Sequence, residues 1–289
     1  MKRREFFQGM FLAAAVGTGM NLPAAEATGE RKTFLQRLAE NRPFFIGHRG
    51  CQPLAPENTI PSFICACRLG IHAIETDVQR TKDGVLVCSH DADMKRVFGA
   101  DLKIAQTTYA DLCKFSAKIG KKWATWDPSL LRLPTFDEYL EICAQYDKVP
   151  FIETKGDVSI VKDVLQAVEK RKMMQIAVLS SIQFPHIEET RRLNGEIFIH
   201  HIFSTPELME KIAKMGNGGL SYNYPKLEDV PKGLIEKTHE KGVKVCLRAG
   251  DSAETVRQML AMGLDYIPSN NAIPLVWQRG GGFAATPAG

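Results

Sequence analysis

Hydrophobic positions fall in short runs that alternate with segments of helical period. The runs read "FFIGH" (44–48), "HAIETDV" (72–78), "VLVCSH" (85–90), "VPFIET" (149–154), "QIAVLSS" (175–181), "EIFIHH" (196–201), "GLSYN" (219–223), "VKVCLR" (243–248) and "LDYIP" (264–268). Between them, "IPSFICACRLG" reads as a helix closed by Gly70, and 157–172, 185–193, 205–215, 231–241 and 252–262 have amphipathic spacing. Short apolar runs joined by helices predict a parallel sheet with crossover connections. Their number predicts a closed (β/α)8 TIM barrel.

One link breaks the rule. "QRTKDG" is too short for a crossover, and Asp83-Gly84 is a hairpin signal. With those two as the turn, Lys82 faces Val85 and His90 lies opposite Asp77. Residues 91–135 lack the strand–helix rhythm and read as a small insertion after the second and third strands. Within it, "TTYADLCKFSA" is predicted helical, and Trp123 and Trp126 are expected to overhang the barrel mouth as a possible substrate rim.

The first residues follow a different pattern. Lys2, Arg3 and Arg4 precede a weakly apolar stretch that ends in a small-x-small site at Ala25 and Ala27. This is the layout of a bacterial export signal, and Arg3-Arg4 followed by Phe6-Phe7 suits the twin-arginine type. The expectation is a signal peptide at 1–27, a catalytic domain at 28–289 and a periplasmic or secreted protein. The net charge of +4 is too mild, and basic runs with interleaved aromatics too scarce, to argue for a nucleic-acid partner. Seven scattered cysteines, at 51, 65, 67, 88, 113, 143 and 246, have no zinc-knuckle spacing and read mostly as small buried hydrophobes.

The chemistry lies at strand ends. Glu75 and Asp77 are two apart on a strand, so both point to one face. An acid pair on a solvated edge strand would look the same. Glu153 and Lys155 repeat the spacing on another strand, and a third carboxylate favours a hard divalent ion, Ca2+ or Mg2+. His48 and His90 each end a strand at the mouth, where one can act as base and the other as acid. Arg49 and Lys155 supply fixed positive charge suited to a phosphate. Together these groups point to displacement at phosphorus.

"HRG" at 48–50, "PENT" at 56–59, Phe63, "ETDVQRTKDG" at 75–84, "HD" at 90–91, "LPTFDEYL" at 133–140 and "ETK" at 153–155 resemble the glycerophosphodiester phosphodiesterase family in order and spacing. The resemblance implies a TIM barrel that hydrolyses glycerophosphodiesters to glycerol 3-phosphate and an alcohol with one bound divalent ion. It implies His48 and His90 as the acid/base pair, Glu75, Asp77 and Glu153 as metal ligands, and Arg49 and Lys155 on the phosphate. Glu57 is expected to orient Arg49 from outside the ligand set, and Asn58 to cap the next helix or complete the turn.

The C-terminal third departs from the pattern. The family's "WTVN"-like strand end reads "VCLRAGD" (245–251), and its "I-T-D-x-P" strand end reads "YIPSNNAIP" (266–274). Arg248 then stands at the substrate rim, or merely pairs with Asp251. Two alternatives follow: a phospholipase D-like enzyme acting on lysophospholipid or sphingolipid headgroups, favoured by an apolar rim at Ile119, Trp123, Trp126, Leu130 and Leu131, or an inactive phosphate-ester binding protein. Transient contact with membrane lipid fits the first, and no obligate protein partner is implied.

Overall fold

In the computed structural model, residues 31–118, 126–247 and 249–271 are described. The export signal at 1–27, Ile119, Trp123 and Arg248 lie outside them. Among the described residues, nine strands form one sheet: β1 (Phe44–Gly47), β2 (Ala73–Arg80), β3 (Leu86–Cys88), β4 (Val149–Thr154), β5 (Val178–Ser181), β6 (Phe198–Ser204), β7 (Gly218–Tyr222), β8 (Lys244–Cys246) and β9 (Tyr266–Ser269). All but β3 run parallel, in the order β8-β7-β6-β5-β4-β2-β1-β9. The circle draws together where the Asp265 amide donates to the Val245 carbonyl at 3.0 Å and the Gly250 amide to Pro268 at 2.8 Å. The expected barrel is therefore present as a nearly closed ring of eight parallel strands with alternating helices.

Burial on both faces explains the near-continuous apolar runs. Phe44, Val149, Phe151, Val178, Phe198 and Tyr266 fill the barrel interior, while Ile74, Ile152 and Leu179 pack outward under the helices. The N-terminal end is plugged by a helix, Phe34–Glu40, that the sequence reading passed over. A Thr33–Gln36 capping box starts it, and Phe34 and Leu38 enter the inner core.

Helix Phe136–Gln145 positions the site from outside. Its Thr135–Glu138 capping box satisfies the first turn, and Phe136, Tyr139, Leu140 and Cys143 are buried. The Tyr139 hydroxyl sits between two strands: it donates to the Ile74 carbonyl at 2.6 Å and accepts from the Phe151 amide at 3.1 Å. It thereby ties β2, which carries Glu75 and Asp77, to β4, which carries Glu153.

Two expectations about the hairpin and insertion are corrected. In the β2–β3 pair, Val78 faces Cys88 and Arg80 faces Leu86, so the loop has three residues, 82–84, between Thr81 and Val85. Thr81 Oγ1 accepts from the Val85 amide, and Gly84 adopts φ +85°, a geometry that glycine tolerates. The register shifts by one, and the Ser89 amide, not His90, meets the Asp77 carbonyl, at 2.9 Å. The helix expected across 107–117 is a single turn, Tyr109–Leu112. Ser116 then pairs with Arg132 in an antiparallel bridge, and the insertion's small core (Met94, Phe98, Ile104, Leu112, Leu131, Leu133) needs only that turn. All seven cysteines are free thiols and six are buried, as expected of small hydrophobes.

Candidate active site

The segment "GHRG" leaves β1 as a tight corner. Arg49 adopts φ +56° and Gly50 φ +89°, and a Cβ on Gly50 would stand 2.4 Å from Ser62 Oγ. That hydroxyl donates to the Arg49 carbonyl at 3.0 Å and accepts from the Cys51 amide at 2.8 Å. The corner is thus locked to the helix Ile60–Arg68. Arg49 and Asn58, at φ +50°, are non-glycine residues in a costly conformation, of the kind that persists where the surrounding structure enforces it.

The corner faces a buried acidic cluster. Oxygens of Glu75, Asp77 and Glu153 lie within 4.8 Å of one another, and all three residues are buried. The Arg49 amide donates to Glu75 Oε2 at 2.7 Å, while Glu75 Oε1 has no hydrogen-bond partner. Asn58 Nδ2 donates to Asp77 Oδ2 at 3.0 Å, and Asn58 Oδ1 accepts from Thr76 Oγ1 at 2.8 Å. Asn58 is therefore not the helix cap. Thr59 caps the helix, and Asn58 holds a cluster carboxylate from behind.

Burial, then the charges of Asp77 and Glu153, push Glu75 well above the usual carboxylate range. Burial also raises Glu153, against the opposing pull of Lys155. Burial would raise Asp77 too, but Lys155, Arg49 and His90 outweigh it and hold it low. Two orphaned buried oxygens, Glu75 Oε1 and Asp77 Oδ1, and one carboxylate kept from ionising by its neighbours are what a hard divalent cation would relieve. The donor set fits such an ion.

Lys155 does not project freely toward a phosphate as expected. Its Nζ donates to Glu153 Oε1 and lies 3.1 Å from Asp77 Oδ1, although that approach is too misaligned to count as a hydrogen bond. The buried carboxylates of Glu153 and Asp77 hold the ammonium between them. Asp77 and Glu153 raise its pKa even though burial lowers it. Arg49 is similarly engaged: Nη1 donates to Glu57 Oε1 at 2.9 Å and Nε lies 3.3 Å from Asp77 Oδ2. Burial would raise Glu57, but Arg96 and Arg49 hold it low. It stays outside the three-carboxylate cluster and orients Arg49.

Each of the two histidines has one nitrogen fixed by a neighbouring side chain. Asp251 Oδ2 accepts from Asn270 Nδ2 at 2.8 Å, which sets the amide so that its Oδ1 faces His48 Nδ1 at 2.5 Å. Asn270 Oδ1 also accepts from Gln52 Nε2 at 2.9 Å. An oxygen on that side means that His48 Nδ1 bears the hydrogen, leaving Nε2 as an acceptor. Burial first, and Arg49 second, lower the His48 pKa. His90 Nδ1 lies 2.8 Å from Asp91 Oδ1, an acceptor-only group that fixes the same tautomer.

Asn270, Asp251, Gln52 and Asp91 were given no role from sequence. "HD" and the strand end "SNN" are the signals that point to Asp91 and Asn270. A cleft of about 430 Å3 borders the site between Gln52, Glu57, Arg96 and Asn270. A larger one of about 760 Å3 touches the site only through Asp251, so volume does not locate the chemistry. Trp126 is half-buried, and its Nε1 donates to the Leu54 carbonyl at 3.1 Å. It anchors the loop after the corner rather than overhanging the mouth. Leu131 is fully buried in the insertion core, and Leu130 is half-buried.

A parallel barrel with a cation-ready carboxylate trio and two oriented histidines at the strand C-terminal ends belongs to the class of phosphoester-cleaving TIM-barrel enzymes. The family model for the glycerophosphoryl diester phosphodiesterase family matches residues 48–272, and this chain is a member of that family. A glycerophosphodiester phosphodiesterase of Caldanaerobacter subterraneus subsp. tengcongensis is 27% identical over 239 residues, covering 80% of this chain and 95% of that protein. A probable glycerophosphodiester phosphodiesterase 1 of Mycobacterium tuberculosis is 24% identical, covering 83% and 93%. The fold is shared with an Oleispira antarctica phosphodiesterase solved with the product sn-glycerol-3-phosphate (TM-score 0.70, 24% identity, covering 81% of this chain and 95% of that one). It is shared also with a Silicibacter pomeroyi homologue (TM-score 0.70, 23% identity, covering 81% and 91%).

Proposed function

We propose that this enzyme is exported and cleaves glycerophosphodiesters to glycerol 3-phosphate and an alcohol by His48/His90 acid–base catalysis, with Ca2+ or Mg2+ held by Glu75, Asp77 and Glu153. The carrying observation is the pair of histidines, each with Nδ1 held by a named acceptor and Nε2 left for chemistry, beside three buried carboxylates. Bound there, the ion supplies positive charge to the phosphoryl oxygens and lets all three carboxylates ionise.

The residues divide the remaining work. His48, kept neutral by burial and by Arg49, takes the proton of the oxygen attacking phosphorus at Nε2. His90 delivers a proton to the departing alkoxide, and Asp91 offsets the positive charge on the ring while it is protonated. Arg49 binds a phosphoryl oxygen, its guanidinium aimed by Glu57. Lys155, held beside the cluster by Glu153 and Asp77, would be available to the phosphate where a bound ion shared those carboxylates.

A second reading, cleavage at a lysophospholipid headgroup, is favoured by Ile182 and Phe203. Both are 48% exposed at the mouth ends of β5 and β6, and Phe203 adopts φ +58°. The test strips the purified chain of metal and follows glycerol 3-phosphate release from glycerophosphocholine, glycerophosphoethanolamine and glycerophosphoglycerol, and choline release from lysophosphatidylcholine, in chelator, Ca2+ or Mg2+. Metal-dependent release that is lost in His48→Ala supports the proposal. Turnover of lysophosphatidylcholine alone moves the second reading ahead, and binding without turnover of any diester would make the protein a binder. Export rests on the 1–27 pattern, and an uncleaved N-terminus on the protein recovered from cells would refute it.

A further inference from the structure

Arg96 leaves the insertion's short helix, Lys95–Phe98, and reaches back to the mouth. Its Nε donates to Asp91 Oδ2 at 2.7 Å, and Nη1 and Nη2 donate to Glu57 Oε2 and Oε1 at 2.8 and 2.7 Å. These two carboxylates are the partners of the site's own working groups: Glu57 of Arg49 Nη1, at 2.9 Å, and Asp91 of His90 Nδ1, at 2.8 Å. Five side chains therefore run in one line, Arg49–Glu57–Arg96–Asp91–His90. Its ends are the residues assigned to the phosphate and to proton delivery.

An exposed ion pair contributes little to stability, and the Arg96 side chain is 50% exposed. Its acceptors are less so, at 12% for Glu57 and 27% for Asp91. All three guanidinium nitrogens are spent on them, a forked geometry that an ammonium cannot reproduce. The value of the contact thus lies in where it holds two carboxylates. Without Arg96, Glu57 answers to Arg49 alone, and Asp91 is free to rotate away from His90.

We propose that Arg96 is a positioning residue that sets Arg49 and His90 in register with each other, which makes the insertion a working part of the site. The proposal rests on the roles given above to Arg49 and His90. Arg96→Gln and Arg96→Lys would be compared with wild type in the full chain by steady-state kinetics, calorimetric ion binding and 15N spectra of the histidine rings. In wild type, the neutral form of the His90 ring is expected as a single Nδ1–H tautomer, while the imidazolium that delivers the proton carries hydrogen on both nitrogens. In Arg96→Gln the neutral form becomes a mixture, kcat falls about 10- to 100-fold, KM rises, and ion affinity is unchanged. Arg96→Lys recovers part of the loss, because one ammonium can serve one carboxylate at a time. In an Asp91→Asn background, Arg96→Gln brings a smaller further loss of kcat than in wild type, that of the Glu57–Arg49 branch alone, and still raises KM.

Wild-type kcat and KM in Arg96→Gln, or an unchanged His90 tautomer, would overturn the proposal. A lower melting temperature with unaltered kinetics would do the same by reducing Arg96 to a structural contact. If the wild-type chain cleaves no diester, the reading of the function fails, while the ring spectra still decide whether Arg96 orients His90.

Discussion

Replacing Glu75 by Gln should reverse sign depending on whether the ion is present. Glu75 sits within 4.8 Å of Asp77 and Glu153, and two full charges at that separation repel by about 3.5 kcal/mol at an effective dielectric of about 20. Its folded pKa is raised above the unfolded value, first by burial and then by these neighbours. The folded chain therefore keeps a proton that the unfolded chain has released, and this contribution to stability is lost as pH rises from the unfolded value through the folded one. The loss amounts to about 1.4 kcal/mol per pH unit within that window. Gln copies the protonated acid and carries no such loss. In chelator, Glu75→Gln should therefore be more stable than wild type, by a margin that widens with pH. At pH 6 that margin is at most about 2.4 kcal/mol; ion added at about 1,000 times its Kd gives wild type about 4.1 kcal/mol and the variant little of it, so the order of stability inverts there. Urea denaturation of both proteins at pH 6 and 8.5, in chelator and in Ca2+, measures all four differences. The same order of stability with and without ion at pH 6 would refute the metal assignment, and a margin in chelator that does not change with pH would refute the electrostatic argument.

Three further outcomes follow from other parts of the site. Tyr139→Phe removes the two hydroxyl hydrogen bonds that clamp the Ile74 carbonyl and the Phe151 amide and should cost about 0.5–1.5 kcal/mol, read by urea denaturation; no loss would mean that the strand ladder alone holds β2 to β4. Asp251→Asn removes the acceptor-only group that sets the Asn270 amide and should lower kcat about 10- to 100-fold without changing ion binding measured by calorimetry. His200 is fully buried and its pKa is pushed down by burial to about 3. The unfolded chain takes up that proton first, so stability should fall as pH drops below about 6.5, by at most about 1.4 kcal/mol per unit from this group; His200→Gln should flatten the slope of stability between pH 6 and 4, and an unchanged slope would exclude it.

The parts of the barrel that could be read from sequence were those dictated by periodicity. "VPFIET" is β4 residue for residue, because a strand buried on both faces must be apolar until it reaches the mouth, where Glu153 is met. The i, i+2 spacing placed Glu75 and Asp77 on one face, and they share a buried cluster with Glu153. The hairpin register was missed by one residue because "KDG" supports either a two- or a three-residue loop. The choice was made by Thr81, whose hydroxyl takes the Val85 amide and Asp83 together, and no count of turn residues contains that bond. The insertion helix was overestimated because helical spacing says nothing about how much core there is to bury it.

The same limit explains why the C-terminal strand end looked like a loss. Read against the family pattern, "YIPSNNAIP" lacks an acid and "VCLRAGD" lacks an amide. In three dimensions β9 lies beside β1, and the Asp251–Asn270 pair spans the two altered strand ends and terminates on His48. An acid and an amide are both still present, with the acid on the β8 loop and the amide after β9. Gln52 reinforces the amide from the β1 corner, bonding both Asn270 Oδ1 and the His48 carbonyl. What the histidine requires is an oxygen facing Nδ1 and something to keep that oxygen from turning away, and neither requirement names a strand. A motif read along one strand records where such groups sit in one solution. The barrel, by bringing its first and last strands together, allows the same constraint to be met from the neighbouring strand end, so the departures of the C-terminal third are no argument that the site has decayed.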